Sequence, residues 1–319
     1  MNRYIGIFVC IFCFLAMLSS AQDLDTVTVS DQFDSGSRGN PTGSGTYNAS
    51  NPDGSEYLDI SNTDGVTGTI RYINSWAGAT SGETESPVIN VTVANDNPDR
   101  VLTGTIPAIA ANSRPGATSP NYAVLIGDDG GYNALFLGES DDSNYYIAVD
   151  AYCEDRSSET SDKYEMVSLC ARAGRDNDPN IIEYTFNMDR AGSYAVCYDA
   201  VLKSVHAVKW TTGNSAGNIA ARTPGIWTEF GSLSSVTQGW HTFRIECWGP
   251  FVKFYFDDTK IADVIDYGFI NGRPGIVYRE GGSVGFANDQ EHQGRFDNLR
   301  AGPQEAPPGL AVGIWSIYE

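Results

Sequence analysis

The sequence predicts an all-β fold, and three observations predict it. Glycine and proline recur 34 and 14 times in 319 residues, so the chain is punctuated by turns at short intervals. No window sustains the 3.6-residue apolar periodicity of a helix, whereas short runs rich in Val, Ile, Thr, Tyr and Phe alternate with those turns. The third observation is the closing segment, where Gly239-Trp-His-Thr-Phe-Arg-Ile-Glu-Cys-Trp-Gly249 and Pro250-Phe-Val-Lys-Phe-Tyr-Phe-Asp-Asp258 write out two strands around a tight turn.

In chain order, residues 1–21 read as a secretory signal peptide, with Arg3 at the start, an apolar run from Ile5 to Leu18 and a small-residue cleavage site at Ser19-Ser-Ala21. The run is too short to span a bilayer, and no later segment reaches about 20 apolar residues, so the expectation is a secreted, extracellular protein with no membrane span. Residues 22–302 are read as one domain, and 303–319 as a Pro-rich spacer followed by a terminal strand. Thr26 to Asp34 starts the domain as a strand of the kind that pairs with the last one, and Ser35 to Ser55 is a Gly/Ser/Asn/Asp-rich loop.

Strands are then expected at Glu56–Ser61, Thr67–Asn74, Val88–Ala94, Arg100–Ile106, Tyr122–Ile126, Tyr132–Leu137, Tyr145–Tyr152, Tyr164–Ala173, Ile181–Phe186, Ser193–Leu202, Val205–Trp210 and Ile226–Phe230. Asp128-Asp-Gly-Gly131 reads as a hairpin turn, since Asp-Gly tolerates the positive φ such turns need. After the Trp240 hairpin, Gly281–Phe286 and Gly294–Arg300 supply the last strands. That number fits a two-sheet antiparallel jelly-roll β-sandwich. The terminal run Gly309–Glu319 is apolar enough for one more strand, which either folds back onto its own sheet or adds to a neighbouring subunit and builds a fibre.

Composition excludes one class of partner. The formal net charge is −20, and a phosphate backbone needs a basic footprint, so nucleic acid is not an expected ligand. Four cysteines remain after the signal peptide: Cys153, Cys170, Cys197 and Cys247. An even number in an oxidising compartment predicts two disulfides; the pairings expected are Cys153 with Cys170 and Cys197 with Cys247. His206, His241 and His292 show no zinc spacing. Asn48-Ala-Ser50 and Asn90-Val-Thr92 are glycosylation sequons.

Alternation sorts the closing hairpin into two faces. His241, Phe243, Ile245, Cys247, Val252, Phe254 and Phe256 share one; Trp240, Thr242, Arg244, Glu246, Trp248, Lys253, Tyr255 and Asp257 share the other. The second face mixes aromatic rings, which stack on the C–H face of a pyranose, with charged groups that hydrogen-bond its hydroxyls. Trp240, Arg244, Glu246, Trp248 and Tyr255 are therefore the candidate ligand-binding residues, with cross-strand stabilisation of an ordinary sheet surface as the competing reading. Trp76, Trp210 and Trp227 lie near strand ends, where an exposed indole would serve a sugar site and a buried one the core.

The order of the closing strands, Gly239 to Gly302, resembles that of the concanavalin A-like lectin/glucanase superfamily, including its LamG-like jelly rolls. The resemblance implies a carbohydrate-binding, lectin-like protein whose partner is a polysaccharide or glycan. It also implies a structural Ca²⁺ between the first strand's loop and an Asp of the last strand, positions matched here by Asp34 and Asp297 of Phe296-Asp-Asn298. The acidic loops Asn95–Asp99, Glu139–Asn144 and Asp176–Asn180 are further sources of oxygen ligands. Retaining glucanases of the superfamily carry a Glu-x-Asp-x-x-Glu strand, which is not in this chain, and its alginate lyases a Gln-x-His strand with a Tyr and an Arg, a context that His206, His241 and His292 each lack. A polysaccharide-degrading glycosidase or lyase with other carboxylate spacing, and an adhesive protein assembling through residues 309–319, are the alternatives to a lectin.

Overall fold

The computed structural model describes residues 23–31, 57–61, 66–67, 69–77, 90–93, 121–126, 132–138, 141–158, 164–173, 192–210, 227–281 and 293–306. Within them the chain forms seventeen strands and no helix. They are β1 (Val29–Asp31), β2 (Tyr57–Ser61), β3 (Val66–Thr67), β4 (Thr69–Ala77), β5 (Asn90–Val93), β6 (Asn121–Ile126), β7 (Tyr132–Phe136), β8 (Tyr145–Cys153) and β9 (Tyr164–Ala173). The rest are β10 (Ser193–Asp199), β11 (Ser204–Trp210), β12 (Trp227–Ser234), β13 (Gly239–Trp248), β14 (Phe251–Phe256), β15 (Thr259–Ile265), β16 (Arg273–Gly281) and β17 (Gln293–Pro303).

Two antiparallel sheets result. The first runs β15-β14-β13-β8-β17-β1-β3, with β6 pairing β17 and β5; the second runs β12-β11-β10-β9-β16-β7-β4-β2. As expected, the first strand pairs with the last, Val29 opposite Ala301 and Asp31 opposite Leu299. One expectation fails here. The strands flanking Asp128–Gly131 do not form a hairpin, because β6 belongs to the first sheet and β7 to the second; turn chemistry fixes how the backbone reverses and not which layer receives it.

Between the sheets lies one core. Ile147, Val149 and Ala151 of β8, Phe243, Ile245 and Cys247 of β13, Val252, Phe254 and Phe256 of β14, and Phe296, Leu299 and Ala301 of β17 project from the first sheet. Val167, Leu169 and Ala171 of β9, Tyr194, Val196 and Tyr198 of β10, and Ile276 and Tyr278 of β16 meet them from the second. The face sorting expected for the closing hairpin is observed within β13 and β14, with β14 alternating half-buried and buried at every residue, but Asp257 lies in the turn beyond β14 and bonds His241 of the other face.

Strand ends differ in places. The strand expected at Ser193–Leu202 stops at Asp199, where the Asp199 carboxylate accepts the Val201 and Leu202 amides and turns the chain. Neither β15 nor β16 is among the strands expected from the sequence; Pro274 sits at a register shift in β16, the position at which a strand tolerates a residue without an amide hydrogen. The strand expectations Arg100–Ile106 and Ile181–Phe186, the stretch 282–286, the signal peptide 1–21 and the terminal run 309–319 lie outside the described residues.

At one end of the sandwich a fully buried arginine ties the layers together. Arg172, at the end of β9, donates from Nη1 to Phe269 O at 2.8 Å and from Nη2 to Ser143 O and Gly249 O at 2.7 and 2.6 Å. Its amide donates to the Tyr145 hydroxyl at 2.6 Å, which in turn donates to Gly272 O at 2.9 Å.

The expected disulfides are absent, and strand alternation gives the reason. All four cysteines are free and buried. Cys153 and Cys247 point into the interlayer core, whereas Cys170 and Cys197 occupy the other face of the second sheet, out of phase with the core residues Leu169, Ala171, Val196 and Tyr198. Each expected pair would have to cross that sheet, and a bond of about 2 Å cannot. Burial pushes the Cys247 thiol up to about 11 and the Cys153 and Cys170 thiols up as well, keeping all three protonated.

Candidate functional site

The outward face of the first sheet carries the candidate residues in rows set by register. Trp240 stands opposite Tyr152, Thr242 opposite Asp150, Arg244 opposite Ala148 and Glu246 opposite Tyr146. On the other side of β13, Tyr255 is opposite Arg244, Lys253 opposite Glu246 and Phe251 opposite Trp248. Trp240, Arg244, Glu246, Trp248 and Tyr255 are all partly exposed, so the structure gathers the five candidate residues on one accessible surface.

Aromatic pairs mark both ends of β13. Trp240 meets Tyr152 edge to face, with ring centroids 5.6 Å apart; Trp248 meets Phe251 at 6.0 Å. The first pair is held from two sides. Gln238 Nε2 donates to the Tyr152 hydroxyl at 2.9 Å, and the Arg295 guanidinium sits 5.7 Å from the centre of the Tyr152 ring. Arg295 is in turn fixed by Glu154 at 3.2 Å, Glu154 by Arg156 at 3.1 Å, and Arg156 by Glu165 at 3.3 Å. Eight residues of strand separate Trp240 from Trp248, roughly 27 Å at strand rise.

Between the pairs lies a polar cluster. The Arg244 guanidinium stacks on Tyr255, 4.1 Å from the ring centre, and its Nη1 is 3.5 Å from Glu246 Oε1. The Tyr255 hydroxyl donates to Glu246 Oε2 at 3.2 Å. Burial, and then the Glu246 charge, push Tyr255 up to about 12, so this hydroxyl stays a donor throughout the physiological range. Arg244 Nε is enclosed without a hydrogen-bond partner. The cluster therefore presents a donor, an acceptor and a cation beside an aromatic ring.

The metal expectation meets a different arrangement. Asp34 lies outside the described residues. Asp297 is buried and stands opposite Asp150 in the β17–β8 register. Asp150 accepts the Thr242 hydroxyl at 2.7 Å and the Asn298 side-chain amide at 2.9 Å, and Asp297 accepts the Asn298 backbone amide at 2.6 Å. This oxygen donor set suits a hard cation. From the acidic loop Glu139–Asn144, Asp142 comes together with Asp23 and Asp25, one ligand oxygen of each lying within 4.8 Å of the others. Backbone amides offset that crowding: Leu24 donates to Asp142, and Ser143 and Asn144 donate to Asp25. Gly138, at φ +78°, leaves the room that the Asp142 carboxylate fills. Loops Asn95–Asp99 and Asp176–Asn180 and the sequon at Asn48 are outside the described residues; Asn90 begins β5.

Of the other tryptophans, Trp210 is buried at the end of β11, and Trp76 and Trp227 lie in β4 and at the start of β12. His206 lies on β11 and His241 on β13. Tyr152, Gln238 and Arg295 are site residues that sequence reading passed over; the signal available was the tyrosine pair Tyr145-Tyr146 and Tyr152 in a strand flanked by acids.

Fold and face together define a two-sheet antiparallel β-sandwich with one aromatic and charged sheet surface that is partly exposed. Comparison with solved structures finds distant likenesses. A carbohydrate-binding module, CBM66 from Bacillus subtilis, is 14% identical, covering 56% of this chain and 85% of its own, with a TM-score of 0.37. The carbohydrate recognition domain of Emp46p in its potassium-bound form is 14% identical over 59% of this chain and 85% of its own, TM-score 0.38. LamAcat from Zobellia galactanivorans is 11% identical over 87% of this chain and 98% of its own, TM-score 0.38. No family model matches the chain, and no curated protein sequence matches it. The fold assignment rests on this chain's own sheet order and register.

Proposed function

We propose that this protein is secreted and binds an extended glycan along β13 on the outward face of the first sheet. The observation that carries the reading is the order of groups on that strand: an aromatic pair at each end and the Arg244–Glu246–Tyr255 cluster between them. Aromatic pairs spaced by a strand's length match sugar rings far apart in one chain, and the central cluster supplies hydrogen bonds to the hydroxyls between.

Binding is tested by titrating oligosaccharides of increasing length into the protein by calorimetry. Affinity rises with length until both aromatic pairs are covered, and Trp240→Ala lowers it about tenfold or more. Unchanged affinity in both Trp240→Ala and Arg244→Ala would remove the site. Secretion is tested by sequencing the amino terminus of the exported protein, expected at Gln22. A structural Ca²⁺ at Asp297 belongs to the same proposal: added Ca²⁺ raises the melting temperature, and Asp297→Asn abolishes the rise. Self-assembly through residues 309–319 is tested by sedimentation of the full chain beside one lacking them.

A further inference from the structure

We propose that Ser204, His206 and Glu229 form a nucleophilic relay that accepts the acyl group of a carboxylic ester. The three side chains lie on the outward side of the second sheet, on neighbouring strands β11 and β12. Ser204 Oγ is 2.7 Å from His206 Nε2, and His206 Nδ1 is 2.9 Å from Glu229 Oε2. Ser232 Oγ donates to the other Glu229 oxygen at 2.7 Å.

The hydrogen-bond directions follow from what each group can donate. An ionised carboxylate only accepts, so the Nδ1 facing Glu229 carries the ring proton. In the neutral ring Nε2 is then a lone pair, and the Ser204 hydroxyl donates to it. That is the tautomer in which an imidazole can take a serine proton. His241 makes the opposite arrangement. Its Nδ1 faces Asp257 at 2.6 Å and its Nε2 faces the Thr237 carbonyl at 2.8 Å, so neither ring nitrogen faces a hydroxyl.

A β-bulge builds the carboxylate position. Opposite Ala207 and Val208 the β12 partners are Gly231 and Glu229, so Phe230 is the extra residue. Phe230 packs on the core, while Ser232 and Glu229, three residues apart, reach the same side and touch. Regular alternation would put residues three apart on opposite sides, and re-aiming a side chain is what such a bulge does. Ser204 is anchored at the other end, directly after Lys203, whose φ is +54° and whose ammonium pairs with Asp155 at 2.6 Å. Solvent reaches the relay at His206 and Glu229, whose side chains are 14% and 41% exposed, and Ser204 lies beneath them at 8%.

In the reaction Ser204 Oγ attacks the acyl carbon and its proton passes to His206 Nε2. The ester C–O bond breaks, Nε2–H protonates the departing alkoxide, and an alcohol and acyl-Ser204 remain. Water then attacks the acyl carbon, giving its proton to Nε2 and then to Ser204 Oγ as the carboxylic acid leaves. Esters rather than amides are the substrate class, because an alkoxide leaves more readily than an amine anion. Ser204 and His206 are catalytic residues; Glu229 is a positioning residue that acts through the ring.

The full-length protein is treated with a fluorophosphonate and the adduct mapped by mass spectrometry, with p-nitrophenyl acetate hydrolysis as the second readout. One adduct on the peptide containing Ser204 is expected, absent in Ser204→Ala and after denaturation. Glu229→Gln lowers the labelling rate at least about tenfold and removes the exchange-protected His206 imidazole N–H resonance, without lowering the melting temperature; His241→Ala changes neither rate. Labelling at another serine, no labelling of the folded protein, or an unchanged rate in Glu229→Gln overturns the proposal. Because the glycan surface is on the other sheet, loss of labelling leaves oligosaccharide titrations untouched, and the two readings fail separately.

Discussion

The outward side of the first sheet along β13 and that of the second along β9 and β10 follow the same alternation and end in opposite surroundings. On the first sheet, β13 alternates partly exposed and buried residues from Thr242 onward, and its outward side chains are large and polar or aromatic. On the second, β10 is buried at every position; Ser168, Cys170, Ala195 and Cys197 occupy its outward side at 3% exposure or less. Alternation states which residues share a side. Residue size and polarity state whether that side meets water: Ser193-Tyr-Ala-Val-Cys-Tyr-Asp199 is near-continuous in small and apolar groups, the pattern of a strand covered on both sides.

The sharpest way to break this contrast is to put a charge on the closed side. Ala195→Lys is expected to abolish the folded state under native conditions, at a cost of several kcal/mol, visible as loss of the cooperative thermal transition. A melting curve like the parent's would show the side to be open. Arg172→Met comes next. It leaves the Phe269, Ser143 and Gly249 carbonyls without their donor, a loss on the order of 3–5 kcal/mol in denaturant unfolding; a change under about 1 kcal/mol would mean those loops are held elsewhere.

On the open side, Arg244→Ala is expected to change stability by less than about 1 kcal/mol while weakening oligosaccharide binding, and a larger stability loss would make the face structural. Tyrosinate absorbance gives the smallest effect. Tyr255 lies above its unfolded value near 10, so its share of stability is complete below that pH and is lost as pH climbs toward about 12. Burial is the larger cause of that rise and the Glu246 charge the second; Glu246→Gln removes the second, and one tyrosine then titrates earlier, whereas an unchanged titration curve would separate Glu246 from Tyr255.

Much of this was legible in the residues. Phe243, Ile245 and Cys247 against Arg244, Glu246 and Trp248 write the two sides of β13, because a period of two has only one solution once the core side is apolar. The layer assignment of β6 and β7 was not legible, since Asp-Gly chemistry is local while sheet membership depends on distant strands. Nor was the fate of the cysteines, because even number and compartment say nothing about phase: Cys153 of β8 points into the core between the sheets and Cys170 of β9 away from it. Tyr152 and Arg295 join the site only through pairing across β8 and β17. The Ser204–His206 spacing is ordinary strand spacing, and Glu229 reaches it through a bulge that no local pattern announces.

That bulge has a counterpart. In β15 the register against β14 also slips by one residue, leaving Ile261 as the extra residue, and Gly231 of β12 lies so near that a Cβ there would come within 2.6 Å of the Ile261 carbonyl oxygen. The last strand of each layer thus presses its main chain against the other's, and the sandwich is sealed along this seam. A foreign peptide strand laid along β15 at Ile261 would meet the main chain of β12 there.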